Sequence, residues 1–477
     1  MKRYETVIGL EVHVELSTAS KIFCACSTKF GEKPNSNSCP ICIGMPGAMP
    51  ILNKKVVEYA ILVGLALNCT ISKKSILDRK NYFYPDLPKA YQISQLYFPI
   101  ARNGRITIDT DDKSKSIGIH ELHIEEDAGK LIHDSDKNMT LVDYNRSGVP
   151  LIEIVSEPDM RSAEEVKSYL EKLRTMLRYL GVSDCKMQEG SMRVDINLSV
   201  REVGDTRLGT RTEIKNMNSL KAISRAIEGE SKRQIDILQS GGLIDQETRR
   251  WDDNENESVR MRLKEEADDY RYFPEPDIAP LEISDEWIHE LMALLPEFQD
   301  EKILRYQKDY GISEYEAGVL TSSKEIANLF ERATRLCNLP KEVSNWLMVE
   351  GMRILKDNYI DPWDICLTPE RLSTLILMIE EGRINRIKGK EVFEKSFLED
   401  VDPEDYVKKH GLEMISDDKM LRKVVVKVLE DNPQSVSDYK NGKTKAFDNL
   451  VGQTMKSMKG KADPALVNTI LKEMLEN

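Results

Sequence analysis

The sequence predicts an α+β protein in which an antiparallel sheet with one apolar face is followed by helices to the C-terminus. Three observations lead there. From Leu10 onward, Leu10, Val12, Val14 and Leu16 alternate with Glu11, His13 and Glu15, and a β-strand sends successive side chains to opposite faces. The same period returns several times before Pro280. Beyond Pro280 it gives way to helical spacing, broken by Gly, Pro and Asn.

Taken in order, the first strand run sets two carboxylates and an imidazole side by side on a backbone anchored by its apolar side. A helix follows over Lys54–Leu67, where apolar residues are too dense for a free surface helix. His120–Asp127 puts His123 and Glu125 opposite Leu122 and Ile124, with Glu126 and Asp127 next. Leu151–Val155 carries Glu153 between Ile152 and Ile154. The clearest helix lies between Ser162 and Gly181. Ser162 with Glu165 predicts a capping box, Val166, Tyr169, Leu170, Leu173, Met176, Leu177 and Leu180 form one stripe, and Gly181 suits the C-terminal cap. Arg193–Val200 alternates Val194, Ile196, Leu198 and Val200 with Arg193, Asp195, Asn197 and Ser199, and Arg211–Lys215 sets Glu213 beside Lys215. Helices are then expected over Trp287–Leu295, Glu325–Leu336, Leu372–Ile379 and Leu421–Leu429. A second break falls near Asp400-Val-Asp-Pro-Glu, so the expected domains are 1–293, 294–405 and 406–477.

An antiparallel sheet with one solvated face explains such alternation by itself. Solvated strand faces, however, favour Lys, Thr and Ser. These faces carry Glu, Asp and His, the ligands of Mg²⁺ and of transition metals.

Composition narrows the class. With 31% charged and 40% hydrophobic residues the chain reads as globular, and its net charge of −13 argues against a uniformly basic nucleic-acid binder. No run approaches the roughly 18 apolar residues of a membrane span, and the N-terminus lacks a signal-peptide pattern. A cytoplasmic protein is expected.

Four of the eight cysteines are grouped as Cys24-Ala-Cys26 and Cys39-Pro-Ile-Cys42. In a reducing compartment two close thiol pairs on one loop point to a structural Zn²⁺ rather than disulfides, against an alternative of free or redox-active thiols. A closed four-thiolate site has no open position for chemistry, so it would staple the loop. Cys69, Cys185, Cys337 and Cys366 stand alone and are expected to be small buried hydrophobes.

Near the end, Lys440, Lys443, Lys445, Lys456, Lys459 and Lys461 surround a single acid, Asp448. This is either a solvated helix face or a patch for a phosphate backbone.

Long strings then carry a resemblance. They are Glu5–Leu16 (ETVIGLEVHVEL), Asp78–Asp86 (DRKNYFYPD), Lys89–Gln95 (KAYQISQ), His123–Lys130 (HIEEDAGK), Pro150–Asp159 (PLIEIVSEPD) and Asp268–Asp277 (DDYRYFPEPD). Ser344–Met348, Asp438–Lys443 and Leu450–Gln453 continue them. From end to end the chain resembles the B subunits of the bacterial aspartyl/glutamyl-tRNA(Asn/Gln) amidotransferases. That resemblance implies a cradle similar in fold to glutamine synthetase, a helical domain and a small tail domain that helps hold tRNA. It implies ATP-dependent phosphorylation of the Glu or Asp side chain on misacylated tRNA(Gln) or tRNA(Asn). Ammonia from the A subunit, an amidase, would then displace phosphate, with the small C subunit tying the heterotrimer together.

By the same resemblance Glu11, His13, Glu125, Glu126, Glu153 and Glu213 match metal-binding positions and would ring a Mg²⁺ site; Asp195, on the same kind of strand face, is a weaker metal candidate or a hydrogen-bond partner of Arg193 or a neighbouring strand. Lys80 and Lys89 would lie on the path that delivers ammonia, Lys80 alternatively touching phosphate, or both would be surface residues beside packed aromatics. Lys443, Lys445, Lys456 and Lys459 would meet tRNA. Asn145, Arg146 and Lys215 are candidate substrate or nucleotide contacts. Other family members lack the cysteines, so zinc would not serve the shared reaction. The archaeal E-type subunit carries an inserted domain for which this chain has no room after Pro280. From another class, a non-catalytic, zinc-stabilised tRNA-binding protein explains the cysteines and lysines but gives the carboxylate-bearing strands no purpose.

Overall fold

The computed structural model describes residues 3–110, 113–134, 136–253, 255–263, 270–414, 418–458, 462 and 464–476. It separates into two units, Met1–Phe298 and Gln299–Asn477.

Among the described residues the first unit is built on a nine-stranded sheet. In chain order its strands are β1 (Tyr4–Glu15), β2 (Thr70–Ile71), β3 (Ala101–Asp109), β4 (Ser114–Glu126), β5 (Pro150–Ser156), β6 (Met192–Glu202), β7 (Thr212–Lys215), β8 (Glu247–Asp252) and β9 (Glu257–Leu263). Across the sheet the order is β9-β8-β7-β6-β1-β5-β4-β3-β2, so the strand that carries Glu11 and His13 lies at its centre. Helices α1 (Lys54–Ala66), α2 (Ala163–Leu180) and α3 (Leu220–Gln239) pack on the apolar face. Ile8, Leu10, Val12 and Val14 of β1 meet the same core as Ile61 of α1, Leu173 of α2 and Ile223 of α3. Each such side chain, fully buried, stabilises the fold by roughly 1.5–3 kcal/mol relative to exposure. With one face sealed by helices, the polar residues of the alternating strands are left on the other.

All but one of the pairings described in this sheet are antiparallel. The exception is β7 with β8, whose strands run parallel because α3 carries the chain back over the sheet between them. A tight turn cannot return a chain in the same direction, so a parallel pair needs such a crossover.

The long helix expected from its stripe is α2, ended by Gly181 at φ +71°. Its capping is only half reciprocal. Ser162 accepts from the Glu165 N–H, but the Glu165 carboxylate accepts from the Arg161 N–H and Lys115, so the predicted capping box does not close. Helix α4 (Asp285–Met292), at the change of sequence texture, packs on α1 and places Leu291 in the sheet's core. Of the lone cysteines Cys185 is buried, whereas Cys69, Cys337 and Cys366 are only half-buried, against expectation.

The second unit is helical among its described residues and holds two apolar clusters. One centres on Tyr306, Phe330, Trp346 and Phe393, with a π-helical turn at Trp346–Gly351. The other joins Leu421, Val425, Leu450, Val467 and Ile470. No helix among the described residues is long and apolar enough to cross a membrane.

Candidate functional site

Strand register builds the site. His13 of β1 pairs with Glu153 of β5 on one side and Arg193 of β6 on the other, and Glu153 in turn pairs with His123 of β4. One row across the open face therefore reads His123, Glu153, His13, Arg193, between neighbours whose Cβ atoms lie about 5 Å apart. Beside it, Glu11 pairs with Asp195, and Asn197 with Glu213.

The side chains converge. His13 Nδ1 lies 3.2 Å from Glu125 Oε1 and 3.6 Å from Glu153 Oε2, and its Nε2 lies 3.7 Å from Asp195 Oδ2. His123 Nε2 lies 3.1 Å from Glu153 Oε2. Asn197 Nδ2 donates to Glu11 Oε1 at 2.8 Å, and Gln92 Nε2 to Glu125 Oε2 at 3.2 Å. Lys215 bridges Asp195 and Glu213 at 2.7 and 2.9 Å, and Thr248 donates to Glu213. The cleft over these groups has a volume of about 470 Å³, and Lys80, Tyr82 and Tyr270 line it as well.

Electrostatically the cleft calls for positive charge. Burial opposes a charged His13, yet hydrogen bonds to Asp195 and Glu125 and the charge of Glu153 raise its pKa well above the ordinary imidazole value. His123 goes to about 10 against the same burial, driven by Glu153. Burial and the Glu153 charge raise Glu11, whereas in Glu153 the two imidazoles overcome burial and lower it. The imidazolium groups thus stand in for a cation among carboxylates.

The donor set fits a hard divalent ion. Ligand atoms of Glu11, His13 and Asp195 lie within 4.8 Å of one another, as do those of His13, Glu125 and Glu153. An octahedral ion with bonds near 2.1 Å separates its ligands by about 3–4 Å, so both triads need only a slight contraction.

The four grouped cysteines also meet, with Sγ atoms within 4.8 Å and Cys39 and Cys42 at 3.9 Å. Tetrahedral bonds of about 2.3 Å imply sulfur separations of about 3.8 Å. A hydrogen bond from Cys24, with nearby Lys21, lowers the Cys42 pKa below the ordinary thiol value, the direction that favours a metal-binding thiolate. These residues can hold a metal ion.

Not every expected residue joins the cleft. Glu126 falls on the opposite sheet face from Glu125, because strand neighbours alternate. There it pairs with Lys89 and accepts from the Ile93 N–H, next to the cysteine loop. Lys80 and Lys89 are thereby parted: Lys80 faces Tyr270 in the acidic cleft, and Lys89 lies on the far side. Asp195, the weaker candidate in sequence, is a member of a ligand triad, whereas Glu213 lines the cleft bound to Lys215. Asn145 is committed to the cysteine loop, accepting from Asn37 and donating to Lys33. Arg146 donates to the carbonyls of Ala128 and Gly129 beside Asp127. Arg193 grips Asp127 with both terminal nitrogens instead of Asp195. His123 is absent from the expected ligands, although its alternation with Glu125 points to the same face. Among the tail lysines, Lys443 pairs with Asp438, and Lys445 and Lys456 are exposed at opposite ends of the helix Lys445–Ser457. Lys459 lies outside the described residues.

Comparison with known proteins decides the family. Residues 6–289 match the family model described as the GatB/GatE catalytic domain, and residues 328–475 match that of the GatB domain. Over its whole length the chain is 64% identical to the B subunit of the aspartyl/glutamyl-tRNA(Asn/Gln) amidotransferase of Lachnoclostridium phytofermentans, covering 99% of that relative. The chain belongs to the GatB family of tRNA-dependent amidotransferase subunits. Its relatives in Agathobacter rectalis, 60% identical over 100% of both chains, and Caldicellulosiruptor bescii, 57% identical over 99% of each, carry the same name. GatB proteins are subunits of a glutamine-hydrolysing ligase, so this chain works within a multi-subunit, ATP-dependent enzyme.

Proposed function

We propose that the cleft phosphorylates the side-chain carboxylate of Glu or Asp carried by misacylated tRNA(Gln) or tRNA(Asn), with ATP as donor. A carboxylate oxygen attacks the γ-phosphorus while the bond from that phosphorus to the ADP oxygen breaks. Ammonia then adds to the activated carbonyl carbon, and phosphate leaves with its oxygen while the nitrogen gives up one proton, which ends on that phosphate, to give the amide. The observation that carries this reading is the convergence of Glu11, Glu125, Glu153 and Asp195 on His13, a grouping with no role in a protein that only binds tRNA.

Glu11, His13, Glu125, Glu153 and Asp195 would hold Mg²⁺, with Glu213 at its margin. Bound there, Mg²⁺ supplies the positive charge that lets two anions approach. Lys215 sets the Asp195 and Glu213 carboxylates, and Asn197 and Gln92 set Glu11 and Glu125, so the acceptors stay aimed at the cleft. Lys80 lies beside the reacting carboxylate or phosphate, while Lys89 with Glu126 belongs to the route by which ammonia arrives from the amidase, the A subunit. The small C subunit completes the complex, a structural Zn²⁺ occupies Cys24, Cys26, Cys39 and Cys42, and the enzyme works in the cytoplasm. The division into a cradle (1–293), a helical domain (294–405) and a tRNA-binding tail (406–477) follows the same reading.

The test uses His13→Ala and Glu125→Ala, with γ-phosphate transfer to Glu-tRNA measured directly and ammonium supplied in place of glutamine. Loss of a metal ligand should slow transfer at least about a hundredfold, near 3 kcal/mol, while glutaminase activity and assembly persist. Wild-type transfer across a range of Mg²⁺ concentrations would remove these residues from the site.

A further inference from the structure

Lys89 is boxed in by the cysteine loop. Its ammonium pairs with Glu126 and stands 5.7 Å from the centre of the Phe23 ring and 5.1 Å from that of Tyr91. Its side chain is only 8% exposed. Phe23 directly precedes Cys24, and Gly44 follows Cys42 by two residues. A Cβ at Gly44 would overlap Lys89 Cγ and stand 3.2 Å from Lys89 Cβ and 3.3 Å from its Cα. The two loop segments that enclose the lysine are therefore the ones tied to the metal-binding thiols.

Phe23 is fixed by the fold itself, buried in the sheet's core with its carbonyl accepting from Ile51, whereas the Cys42 side is held by Ile41 against that core, by Ser147 donating to the Cys42 carbonyl and by Lys21 donating to the Cys42 sulfur. The loop's other flank is stitched to the hairpin Lys130–Asp143 and the turn after it, through Asn35 with Asp143 and Asn37 with Asn145. From Cys39 to Met45 the backbone closes mainly on itself, Ile43 donating to Cys39, Gly44 to Ile41 and Met45 to Pro40. The turn at Gly44, two residues beyond the Cys42 anchors, is held closed on Lys89 by the joining of its thiols to those at Cys24 and Cys26.

We propose that the four-cysteine centre is a metal-dependent clamp that seats Lys89 against Glu126, with Gly44 as the positioning residue. A metal bound by the four thiolates holds Gly44 against the lysine, across from the core residue Phe23, and its loss frees the Gly44 side. The clamp does not depend on what Lys89 does. Its consequence for amidation rests on the reading of Lys89 as part of the ammonia route.

Two glycines of the loop supply the control. Gly44 and Gly47 both have left-handed backbones, φ +70° and +84°, but a Cβ at Gly47 meets nothing within 4 Å. Gly44→Ala and Gly47→Ala thus carry similar backbone strain, and only the first presses on Lys89. The assembled amidotransferase is treated briefly with an amine-acylating ester, and labelling of Lys89 is followed by peptide mass spectrometry. Lys89 should be protected in the metal-loaded wild type and in Gly47→Ala, and labelled at least about tenfold faster in Gly44→Ala and after chelation of the metal. Equal labelling in the two glycine variants, or full protection after the metal is stripped, would overturn the clamp. In the same samples, glutamine-driven amide formation and γ-phosphate transfer are compared. Freed Lys89 with glutamine-driven synthesis intact would keep the clamp and remove Lys89 from the ammonia route.

Discussion

Glu125 and Glu126 are adjacent, yet they occupy different chemistries because a strand turns them to opposite faces. Glu125 meets His13, while Glu126 is 3% exposed and neutralises the buried Lys89. Removing one partner of a buried pair leaves the other charge uncompensated, so Glu126→Gln should destabilise the first unit by about 3 kcal/mol in denaturant unfolding. A cost near zero would mean that Lys89 finds water instead. Asp195 carries the opposite expectation. Lys215 and Asn197 anchor this edge of the cleft, so Asp195→Asn should leave the sheet intact while γ-phosphate transfer falls about 10–100-fold, because the amide keeps a ligating oxygen but loses the carboxylate's charge. Unchanged transfer would reduce Asp195 to a strand-to-strand contact with Lys215. At this scale residue types and strand faces are legible in the sequence, since alternation alone parts Glu126 from Glu125 and sets His123 beside it, whereas the partners of Glu126, Asp195 and His123 are not, because those are set by strands far away in the chain.

Among the elements, α3 is fastened to the edge of the sheet through a buried carboxylate, with Arg233 donating to Glu247 and Gln234 to Thr212 beside it. Glu230 is fully buried and accepts from Arg233, from Gln234 at 2.9 Å and from Ser258 of β9 at 2.7 Å. Burial raises its pKa, but these donors overcome it and lower the pKa below the ordinary 4.5. A carboxylate depressed in the folded state contributes stability that is present above its unfolded pKa and lost as pH falls through the folded value. Glu230→Gln should therefore cost about 2 kcal/mol near neutrality and flatten the acid limb of stability below about pH 4.5. Parallel acid limbs for variant and wild type would show that Glu230 does not carry this dependence. The α2 cap makes a milder case. With Glu165 turned to Arg161 and Lys115, Ser162 alone supplies the side-chain cap, and Ser162→Ala should cost about 1 kcal/mol in thermal or denaturant unfolding.

For the whole molecule, an acidic chain meets an acidic ligand if it binds tRNA, so local cations must set the salt dependence. Lys445 and Lys456 are exposed, whereas Lys443 already neutralises Asp438. Replacing Lys445 and Lys456 by Gln should lower the logarithmic salt slope of tRNA binding by about 1–2, with a smaller change for Lys443→Gln. An unaltered slope would mark this helix as a solvated face. The closed thiolate set predicts that Cys39→Ser lowers metal content and thermal stability more than turnover, checked by metal analysis of reduced protein beside a melting curve.

The class of protein, the main strands and helices, the face each strand turns to the core, and the family can all be read along the chain, because alternation, helical stripes and long strings are local properties. The cysteine cluster was legible for the same reason, its four thiols lying on one short loop. Folding in three dimensions is what brings His123, Glu153, His13 and Arg193 into a single row, runs β7 and β8 parallel, and puts Lys80 and Lys89 on different sides of the sheet. Those facts depend on register and crossover direction between segments far apart in sequence. A shift of one residue in register would have moved a whole set of side chains to the other face.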